Sequence, residues 1–409
     1  MLSERKVVPV VFSANNAYTL FCYIAIYSMI IHADSRNLYE VYVFVTGMED
    51  DNKTLIESLT NEFAHVQCID ISTYTQNIEL KESIHLSIET YYRLFIPVVL
   101  PQYDKILYLD SDMCILADVA KLYDCDLEGK PIGAVGDVWC EHLKRHSLEI
   151  GGLDFRKTFN AGVLVMDTRK FEEERIREKC LSVLQEDYKR KVRKMIFADQ
   201  DALNNVLYEN VAFLDKRWNC QSQFAWRPEL LFEEYKEGYF DTLEQAYIMH
   251  FAGDKKPWMY PELPKAEVFW EMVKKTKIHN RLITMLLEDV RKQANRLTCF
   301  EVFQFPYQQV TYGSRVVIYA AGMVGQAFKR QLELSKYANV VLWVDKAWET
   351  LPEELEVKNI CEIINAEFDY VVIAIDEACI AEKIREVLWE MHIPNDKIVW
   401  EEYRKKQNQ

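Results

Sequence analysis

The sequence predicts an α/β protein in two parts, a larger unit built around a parallel sheet and a smaller α/β unit after it. The chain has 409 residues, which is more than one ordinary hydrophobic core holds. Short apolar runs alternate with helical patterns up to about residue 120, and a similar alternation begins again near residue 313. Continuous apolar strands that alternate with helices are typical of parallel sheets covered on both faces.

The elements of the larger unit follow one another in the order that such a sheet requires. Apolar runs predict the strands, and helical periodicity predicts the helices between them. The strands are expected at Val7–Ser13, Val41–Thr46, Val66–Ile71 and Lys105–Leu109, and the helices at Leu20–His32, Asp51–Phe63 and Glu89–Phe95. Ligands of such sheets bind beyond the carboxyl ends of the strands, so we expect Ser13–Tyr18 and Asp110–Asp112 at one rim.

Three segments are expected along the chain. The larger domain covers residues 1–263, a helical connector covers 264–312, and a smaller α/β domain covers 313–409. The connector is locally basic between Lys265 and Arg296, in an otherwise acidic protein. This stretch fits a helix pair packed on the core. It also fits a peripheral membrane contact, because basic amphipathic helices favour anionic headgroups.

Composition excludes several classes of protein. A chain with 49% hydrophobic residues can bury enough surface to fold, which argues against disorder. A formal charge of -15 argues against nucleic acid as a partner, since that footprint needs clustered basic residues. The N-terminus shows no signal peptide, and the longest apolar stretch, Tyr18 to Ile31, is too short to cross a bilayer. With ten scattered cysteines, these features predict a cytoplasmic protein.

The sharpest chemical signal is the segment KILYLDSDMCIL, residues 105–116. An apolar strand ends there in Asp110, Ser111 and Asp112. Two carboxylates two residues apart at a strand end can both point at one hard divalent cation, which prefers oxygen ligands. Such triplets are also common in solvated loops, so the position after a buried strand is what favours a metal site.

Six motifs, in order between residues 7 and 260, resemble those of glycosyltransferase family 8, which includes bacterial lipooligosaccharide galactosyltransferases, glucosyltransferases and glycogenin. The motifs are VVFSANNAY, SIETYYRLFIP, YLDSDM, FNAGVLVMD, ADQDALN and HFAGDKKPW. The resemblance implies the nucleotide-diphospho-sugar transferase fold of GT-A type. It also implies a metal-dependent, retaining transfer of a hexose from UDP-glucose or UDP-galactose to a glycan or glycolipid acceptor.

The resemblance also assigns residues to roles. The metal ligands would be Asp110, Asp112 and His250, a set that favours Mn²⁺, with Mg²⁺ as the alternative. The residues that bind the nucleotide sugar would be Ser13, Asn15, Tyr18, Arg93, Asp110, Ser111, Asn160, Ala161, Gly253 and Lys256. Lys256 would place a positive charge at the diphosphate. Asn15 stands where the family often has aspartate, and its amide still offers a donor and an acceptor to the base.

Two residues are expected at the reacting centre. By resemblance, Asp199 binds sugar hydroxyls and Gln200 lies under the anomeric carbon. A double displacement would want a carboxylate nucleophile, whereas an amide is a poor one. This favours a front-face mechanism in which Gln200 stabilises the cationic centre, with Asp199 as covalent nucleophile the alternative.

The smaller domain carries a separate motif, VVIYAAGMVGQAF. Ala320, Gly322 and Gly325 have the spacing of a dinucleotide fingerprint, and the turn follows a strand and opens a helix. Asp345 ends the next predicted strand, in place to bind a ribose hydroxyl. The domain therefore resembles the first half of a Rossmann fold. Nucleotide binding and a structural or assembly role, including a homo-oligomer, both fit.

Two other functions fit parts of the sequence. A non-catalytic scaffold that binds sugar nucleotides would not need the intact metal and Asp-Gln motifs. A sugar-phosphate nucleotidyltransferase would show a glycine-rich N-terminal loop with a basic residue, where this chain has SANNAY. Transfer of a hexose is therefore the leading hypothesis, while the donor sugar and the acceptor cannot be read from the sequence.

Overall fold

The computed structural model describes residues 5–81, 87–138, 140–190, 194–253, 255–261, 263–287, 303–352 and 355–401. The chain forms two compact units, Met1–Thr276 and Lys277–Gln409. The described residues form two sheets in the larger unit and one in the smaller unit.

Strands in the larger unit are numbered β1 to β10, and those in the smaller unit β11 to β14. They are β1 Val7–Ser13, β2 Leu38–Val45, β3 Ala64–Asp70, β4 Lys105–Leu109, β5 Met113–Ile115, β6 Ile132–Gly136, β7 Phe159–Asp167, β8 Val211–Phe213, β9 Cys220–Gln221, β10 Ile248–His250, β11 Arg315–Tyr319, β12 Asn339–Val344, β13 Tyr370–Ile373 and β14 Ile398–Val399.

Both units contain helices. The α-helices that lie wholly within the described residues are Thr19–His32, Asp50–Glu57, Ser72–Thr75, Ile96–Val99, Ala120–Tyr123, Glu141–Gly151, Thr168–Glu173, Ile176–Tyr188, Ala198–Val206, Gln223–Trp226, Glu233–Lys236, Tyr239–Glu244, Ala266–Lys274, Met323–Ser335 and Ala378–Glu390. Short 3₁₀ helices lie at Ile88–Phe95, Phe155–Lys157, Lys216–Asn219, Pro228–Leu230, Trp348–Thr350, Ile360–Asn365 and Asn395–Lys397.

The main sheet has seven strands in the order β3-β2-β1-β4-β7-β6-β8. The first four are parallel, as the sequence predicts. β7 then runs antiparallel to both β4 and β6, so the complete sheet is mixed. The β4–β7 register pairs Leu109 with Val163, and the backbone N–H of Asp110 donates to the carbonyl of Gly162. This pairing places the start of β7 beside the end of β4.

A second, three-stranded sheet has the order β5-β10-β9. His250, the last residue of β10, pairs with Met113 on one side and with Gln221 on the other. The backbone N–H of Phe251 donates to the carbonyl of Asp112. This small sheet therefore carries His250 to the segment that follows β4, although the two lie far apart in sequence.

Apolar side chains form a core on each face of the main sheet. One cluster includes Val10 and Leu107 with the helix Thr19–His32, and the other includes Val11 and Tyr108 with the helix Ala198–Val206. Alternate residues of one strand thus enter opposite clusters, as the period of two in a strand requires. Burial on both faces explains why these strands read as continuous apolar runs.

Two predicted helices differ from those observed. The segment expected as a helix at Glu89–Phe95 is a 3₁₀ helix. The helix expected at Asp51–Phe63 ends at Glu57. Asn61 explains this early end, because its side-chain oxygen accepts the backbone N–H groups of Phe63 and Ala64 and so holds a turn instead.

The first helix of the predicted connector belongs to the larger unit. Ala266–Lys274 buries Phe269 against Trp258 and Phe21, and the indole of Trp270 donates to the carbonyl of Pro257. These contacts support packing on the core for this part of the basic stretch. Residues 288–296 of that stretch lie outside the described residues, and its membrane contact stays a prediction. No helix in the described part of the chain is both long and apolar enough to cross a membrane.

The smaller unit is a four-stranded, wholly parallel sheet in the order β12-β11-β13-β14. β11 leads through a glycine turn into the helix Met323–Ser335, and β13 leads into Ala378–Glu390. Its strands and helices enclose a separate apolar core, which includes Val317, Val371 and Leu388. This is the strand–turn–helix arrangement predicted for the segment.

Candidate functional site

Asp110, Asp112 and His250 come together at the carboxyl end of β4. One ligand atom from each lies within 4.8 Å of the others. His250 Nε2 is 3.2 Å from Asp112 Oδ1 and 3.8 Å from Asp110 Oδ2. The opposite oxygen of Asp110 accepts hydrogen bonds from Tyr108 and Arg93. Oδ2 of Asp110 is therefore the oxygen turned toward the cluster.

A hydrogen-bond network fixes the tautomer of His250. Asn160 Oδ1 accepts the backbone N–H of Gly162, so the amide end of Asn219 that contacts it must be the donor NH₂. The carbonyl end of Asn219 then accepts from His250 Nδ1, at 2.8 Å. With a proton on Nδ1, a neutral imidazole at this position would direct the lone pair of Nε2 toward the two carboxylates. Three electron-rich atoms facing one point suit a bound cation, and an oriented imidazole is typical of metal ligands.

Lys256 lies against the same cluster. It is buried, and its ammonium donates to Asp112 Oδ2 at 2.5 Å and to the carbonyl of Phe251. Burial by itself would raise the pKa of Asp112, but the neighbouring positive charges, Lys256 first, hold that pKa below its ordinary value. Asp112 is therefore ionised, with Oδ2 paired to Lys256 and Oδ1 facing His250.

Arg93 connects the cluster to the predicted sugar-binding residues. Its buried guanidinium donates to Asp110 and to the carbonyl of Ala161, and Nε lies 2.8 Å from Asp199 Oδ2. Burial opposes the charge of Arg93, but Asp110 and Asp199 raise its pKa above the ordinary value. Arg93 therefore carries a permanent charge between two carboxylates.

Asp199 is almost completely buried, at 1% exposure. Thr90 donates to its Oδ1 at 2.6 Å. Burial raises the pKa of Asp199 to about 6, although Arg93 and Thr90 oppose the shift. Oδ2 is close to Arg93 Nε, but that N–H points at the carbonyl of Thr90, so among the described residues Oδ2 has no aligned donor.

Gln200 is held at both ends of its amide. Its Oε1 accepts from Asn160 Nδ2 and from the backbone N–H of Ala161, both at 3.0 Å. Its Nε2 donates to Asp137 Oδ2 at 3.2 Å. The orientation of the amide is thus determined, and the predicted residues Asn160, Ala161 and Gln200 form one contiguous group.

Asp137 is a site residue that sequence reasoning missed. It follows β6, accepts from Gln200 and Gln221, and burial raises its pKa above the ordinary value. The signal that could have found it is the one that identified Asp110, a carboxylate directly after a buried apolar strand. Asn219 and Gly162 were also missed.

Glycine is required at two positions near the cluster. A Cβ atom on Gly162 would lie 2.4 Å from His250 Cε1 and 2.8 Å from Asp110 Oδ2. Gly253 has φ +85°, a left-handed conformation that favours glycine. The first glycine leaves space for the cluster, and the second allows the sharp turn between His250 and Lys256.

The segment after β1 lies next to the segment after β4. The hydroxyl of Ser111 donates to the carbonyl of Ser13 at 2.6 Å. Tyr18 packs edge-on to Trp258 at 6.3 Å between ring centroids. Burial raises the pKa of its hydroxyl, and the nearby charge of Lys256 opposes this shift. Asn15 bonds to Glu89. The residues predicted to bind the nucleotide therefore adjoin the cluster of Asp110, Asp112 and His250 at one rim.

Comparison with known proteins identifies the family. Residues 9–262 match the family model described as glycosyl transferase family 8, which covers well over half of the chain. The chain belongs to glycosyltransferase family 8. The prediction of an enzyme of this family, made from six motifs, is thereby confirmed.

Family 8 relatives align with the larger unit. General stress protein A of Bacillus subtilis is 30% identical over 238 residues, which cover 56% of this chain and 80% of that protein. Lipopolysaccharide 1,3-galactosyltransferase of Salmonella typhimurium is 24% identical over 246 residues, 58% of this chain and 68% of that protein. Among solved structures, the bifunctional glycosyltransferase WbbM aligns with a TM-score of 0.57 and 25% identity, over 68% of this chain and 51% of that one. The predicted GT-A-type fold is confirmed.

The smaller unit of this family 8 protein matches a different model, C2185-like N-terminal, over residues 312–399. Its glycine turn is explained by packing, because a Cβ on Gly325 would lie 2.0 Å from the carbonyl oxygen of Ala320, whereas one on Gly322 would meet nothing within 4 Å. Asp345 Oδ2 accepts the backbone N–H of Ala321 at 2.7 Å. Its carboxylate therefore bonds to the turn itself, and nucleotide binding by Gly322, Gly325 and Asp345 stays a prediction.

Proposed function

We propose that this protein transfers a hexose from UDP-glucose or UDP-galactose to a glycan or glycolipid acceptor, with a divalent metal and with retention of anomeric configuration. The observation that carries the proposal is the convergence of Asp110, Asp112 and His250 on one point, with the lone pair of His250 Nε2 directed at it. The galactosyltransferase name of one relative supports a hexose as the group transferred.

The donor set fits Mn²⁺ or Mg²⁺. Two carboxylate oxygens and one neutral imidazole leave positions open for phosphate oxygens, and imidazole beside carboxylate favours Mn²⁺. When bound, such an ion would stabilise the negative charge that develops on the departing diphosphate. On the protein side, Asp110 is paired with Arg93 and Asp112 is paired with Lys256.

Lys256 and Gly253 would contact the diphosphate on the side opposite the metal ligands. The buried ammonium of Lys256 is held by the carbonyl of Phe251, so it keeps its place without the flexibility of a surface lysine. A fixed positive charge in a buried site stabilises a leaving diphosphate more than a solvated one does. The left-handed backbone at Gly253 carries no side chain of its own, and the Gln223 side chain fills the space where a Cβ would lie, 2.1 Å from Gln223 Oε1.

Asp199 would bind hydroxyl groups of the donor sugar. Its Oδ2 is buried and lacks an aligned donor among the described residues, so a sugar hydroxyl would satisfy it. Thr90 donates to the other oxygen, Oδ1, while Arg93 Nε lies 2.8 Å from Oδ2 without donating to it. An ion pair with Arg93 lowers nucleophilicity, which counts against Asp199 as a covalent nucleophile.

Gln200 would stabilise the cationic sugar in a front-face reaction. In that reaction the acceptor hydroxyl attacks on the side of the departing phosphate, which takes the proton. Gln200 is anchored by Asn160, Ala161 and Asp137, so its amide dipole is fixed before the reaction starts. A preorganised dipole acts without reorganisation at the moment of reaction.

The proposal is tested by release of UDP from a panel of UDP-sugars, with and without Mn²⁺. Asp112→Asn should remove activity without unfolding the protein, and His250→Ala should be rescued partly at high metal concentration. Full activity of Asp112→Asn after chelation and resupply of Mn²⁺ would contradict the metal assignment. Binding without turnover would instead support a non-catalytic scaffold, and release of pyrophosphate from UTP with a sugar phosphate would support a nucleotidyltransferase.

The stereochemistry is tested separately. An α-linked donor should give an α-linked product, which proton NMR of the new anomeric signal distinguishes from a β-linked one. Gln200→Ala should lower turnover more than donor binding, because its proposed role lies in the transition state.

A further inference from the structure

The sheet order locates a ligand crevice independently of any motif. The strand order is β3-β2-β1-β4. After β1 the chain adds β2 and β3 on one side of β1, and it then crosses back to add β4 on the opposite side. Ligands of open α/β sheets bind at this reversal, beyond the carboxyl ends of the two central strands. Asn15 follows β1, and Asp110 follows β4. A nucleotide with its diphosphate at Asp110 and Asp112 would thus extend along the segment that includes Asn15.

The side-chain amide of Asn15 has only one orientation that satisfies its neighbours. Its Oδ1 accepts the backbone N–H of Tyr18 at 3.0 Å, and its Nδ2 donates to Glu89 Oε2 at 3.0 Å. A backbone N–H can only donate, and an ionised carboxylate can only accept. Turning the amide over would place two donors together at Tyr18 and two acceptors together at Glu89.

This arrangement explains why an amide stands at position 15. An aspartate there would direct a carboxylate oxygen at the carboxylate of Glu89, about 3 Å away in this geometry, and like charges at that distance repel strongly. Glu89 comes from the 3₁₀ helix Ile88–Phe95, which also supplies Thr90 and Arg93. The same helix therefore supports the base-facing and the sugar-facing parts of the site.

A fixed amide discriminates between pyrimidines. After its contacts with Tyr18 and Glu89, the Asn15 amide still has a second lone pair on oxygen and a second hydrogen on nitrogen with which to bind a base. Uracil presents an N3–H donor beside a carbonyl acceptor, whereas cytosine presents an N3 acceptor beside an amino donor, so the two bases need opposite orientations of one amide. We propose that Glu89 is a specificity-determining residue, which selects uracil over cytosine by locking the Asn15 amide. This inference rests on the proposed function, in which a uridine nucleotide is the donor.

The experiment measures binding of UDP and CDP to the full chain with Mn²⁺ by titration calorimetry. The wild type should prefer UDP by at least about tenfold, the effect of one well-oriented hydrogen-bonded contact. Glu89→Ala should reduce this preference to about threefold or less, because only the Tyr18 contact then opposes turning the amide over. Thermal unfolding of each variant checks that the fold is intact.

A charge exchange supplies the second test. Asn15→Asp should weaken UDP binding at least about tenfold through repulsion by Glu89. Asn15→Asp with Glu89→Gln should recover most of that loss, since the amide donor now comes from position 89. A mere loss of packing would not be rescued in this way.

The possible failures are distinct. If the wild type binds UDP, but Glu89→Ala keeps the full preference over CDP, the inference is wrong and the proposed function stands. The inference is also wrong if Asn15→Asp binds UDP equally well with Glu89 and with Gln at position 89. If the wild type binds no uridine nucleotide with Mn²⁺ present, the proposed function fails and the inference fails with it.

Discussion

Gly162 leaves the space in which the imidazole of His250 lies, since a Cβ atom there would be 2.4 Å from His250 Cε1. Gly162→Ala should displace the ring and weaken metal binding by at least about tenfold, because overpacking of this kind costs about 1–3 kcal/mol. Mn²⁺ binding followed by electron paramagnetic resonance measures this without turnover. Gly136→Ala is the control, since its added Cβ would meet Phe213 at an ordinary 3.7 Å. Equal losses in both variants would contradict the prediction.

Asn219 should control metal affinity without touching the ion. Asn219→Leu removes the acceptor of His250 Nδ1–H and so releases the ring orientation. Loss of such a partner typically weakens metal binding about 10- to 100-fold. Mn²⁺ affinity measured by calorimetry tests this. Unchanged affinity in a folded Asn219→Leu protein would show that the ring is held by packing alone.

Ionisation of Asp199 should make kcat/KM for the donor depend on pH. Its carboxyl has a pKa of about 6, so it is mostly neutral below that pH and ionised above it. If the ionised form accepts sugar hydroxyls, kcat/KM for the donor should rise between about pH 5 and 7 and then level off. Thr90→Val removes a hydrogen bond that lowers this pKa, and should therefore move this rise to higher pH. If kcat/KM of Thr90→Val rises over the same pH range as that of the wild type, a group other than Asp199 is responsible for the pH dependence.

A buried pair supports the turn that presents Gln200. His146 Nε2 lies 3.0 Å from both oxygens of Asp201, which also accepts the backbone N–H of Phe197. The turn between them is strained, with Ala198 at φ +47°. His146→Phe leaves a buried carboxylate without this partner and should cost roughly 3 kcal/mol of stability.

The same variant should lower kcat more than it changes KM for the donor, through the position of Gln200. His146→Gln keeps a nitrogen donor near the position of Nε2 and should recover part of both losses. Chemical denaturation and steady-state kinetics of the two variants measure these effects. If His146→Phe keeps the kcat of the wild type, the pair of His146 and Asp201 contributes to stability but not to turnover.

The smaller unit should be sensitive at Gly325 and insensitive at Gly322. Gly325→Ala forces a Cβ against a backbone carbonyl and should destabilise this unit by about 2 kcal/mol. Gly322→Ala, which meets nothing within 4 Å, serves as the matched control. Donor hydrolysis should be unchanged in both, because every proposed reacting residue lies before position 260. Loss of hydrolysis in Gly325→Ala would make this unit part of the catalytic core.

The fold was predictable where burial dominates the sequence. β1 and β4 have the predicted bounds because both faces of each strand are covered, so their apolar runs are continuous. The antiparallel direction of β7 was not predictable, since alternation of side chains is the same in either direction. The end of the helix Asp50–Glu57 was missed because a single side chain, that of Asn61, decides it.

The candidate site was predictable where residues lie within one motif. Asp110 and Asp112 follow a buried strand, and the spacing of His250 and Lys256 fits a known pattern. Asp137, Asn219 and Gly162 make contacts between segments far apart in the chain. The register of β7 against β4 and β6 places Gly162 and Asp137, and the 3₁₀ helix Lys216–Asn219 places Asn219. Local sequence carries no information on such a register.

Hydrogen bonds run without a break from His250 through Asn219, Asn160 and Gln200 to Asp137. Engineering of a new donor preference should therefore treat His250, at the proposed metal end, and Gln200 with Asp137, at the proposed sugar end, as one coupled unit. A substitution at one link should be tolerated only with a compensating change at the next, so strong epistasis is expected within this row. Libraries that vary adjacent links together should yield active variants that one-at-a-time scanning would discard.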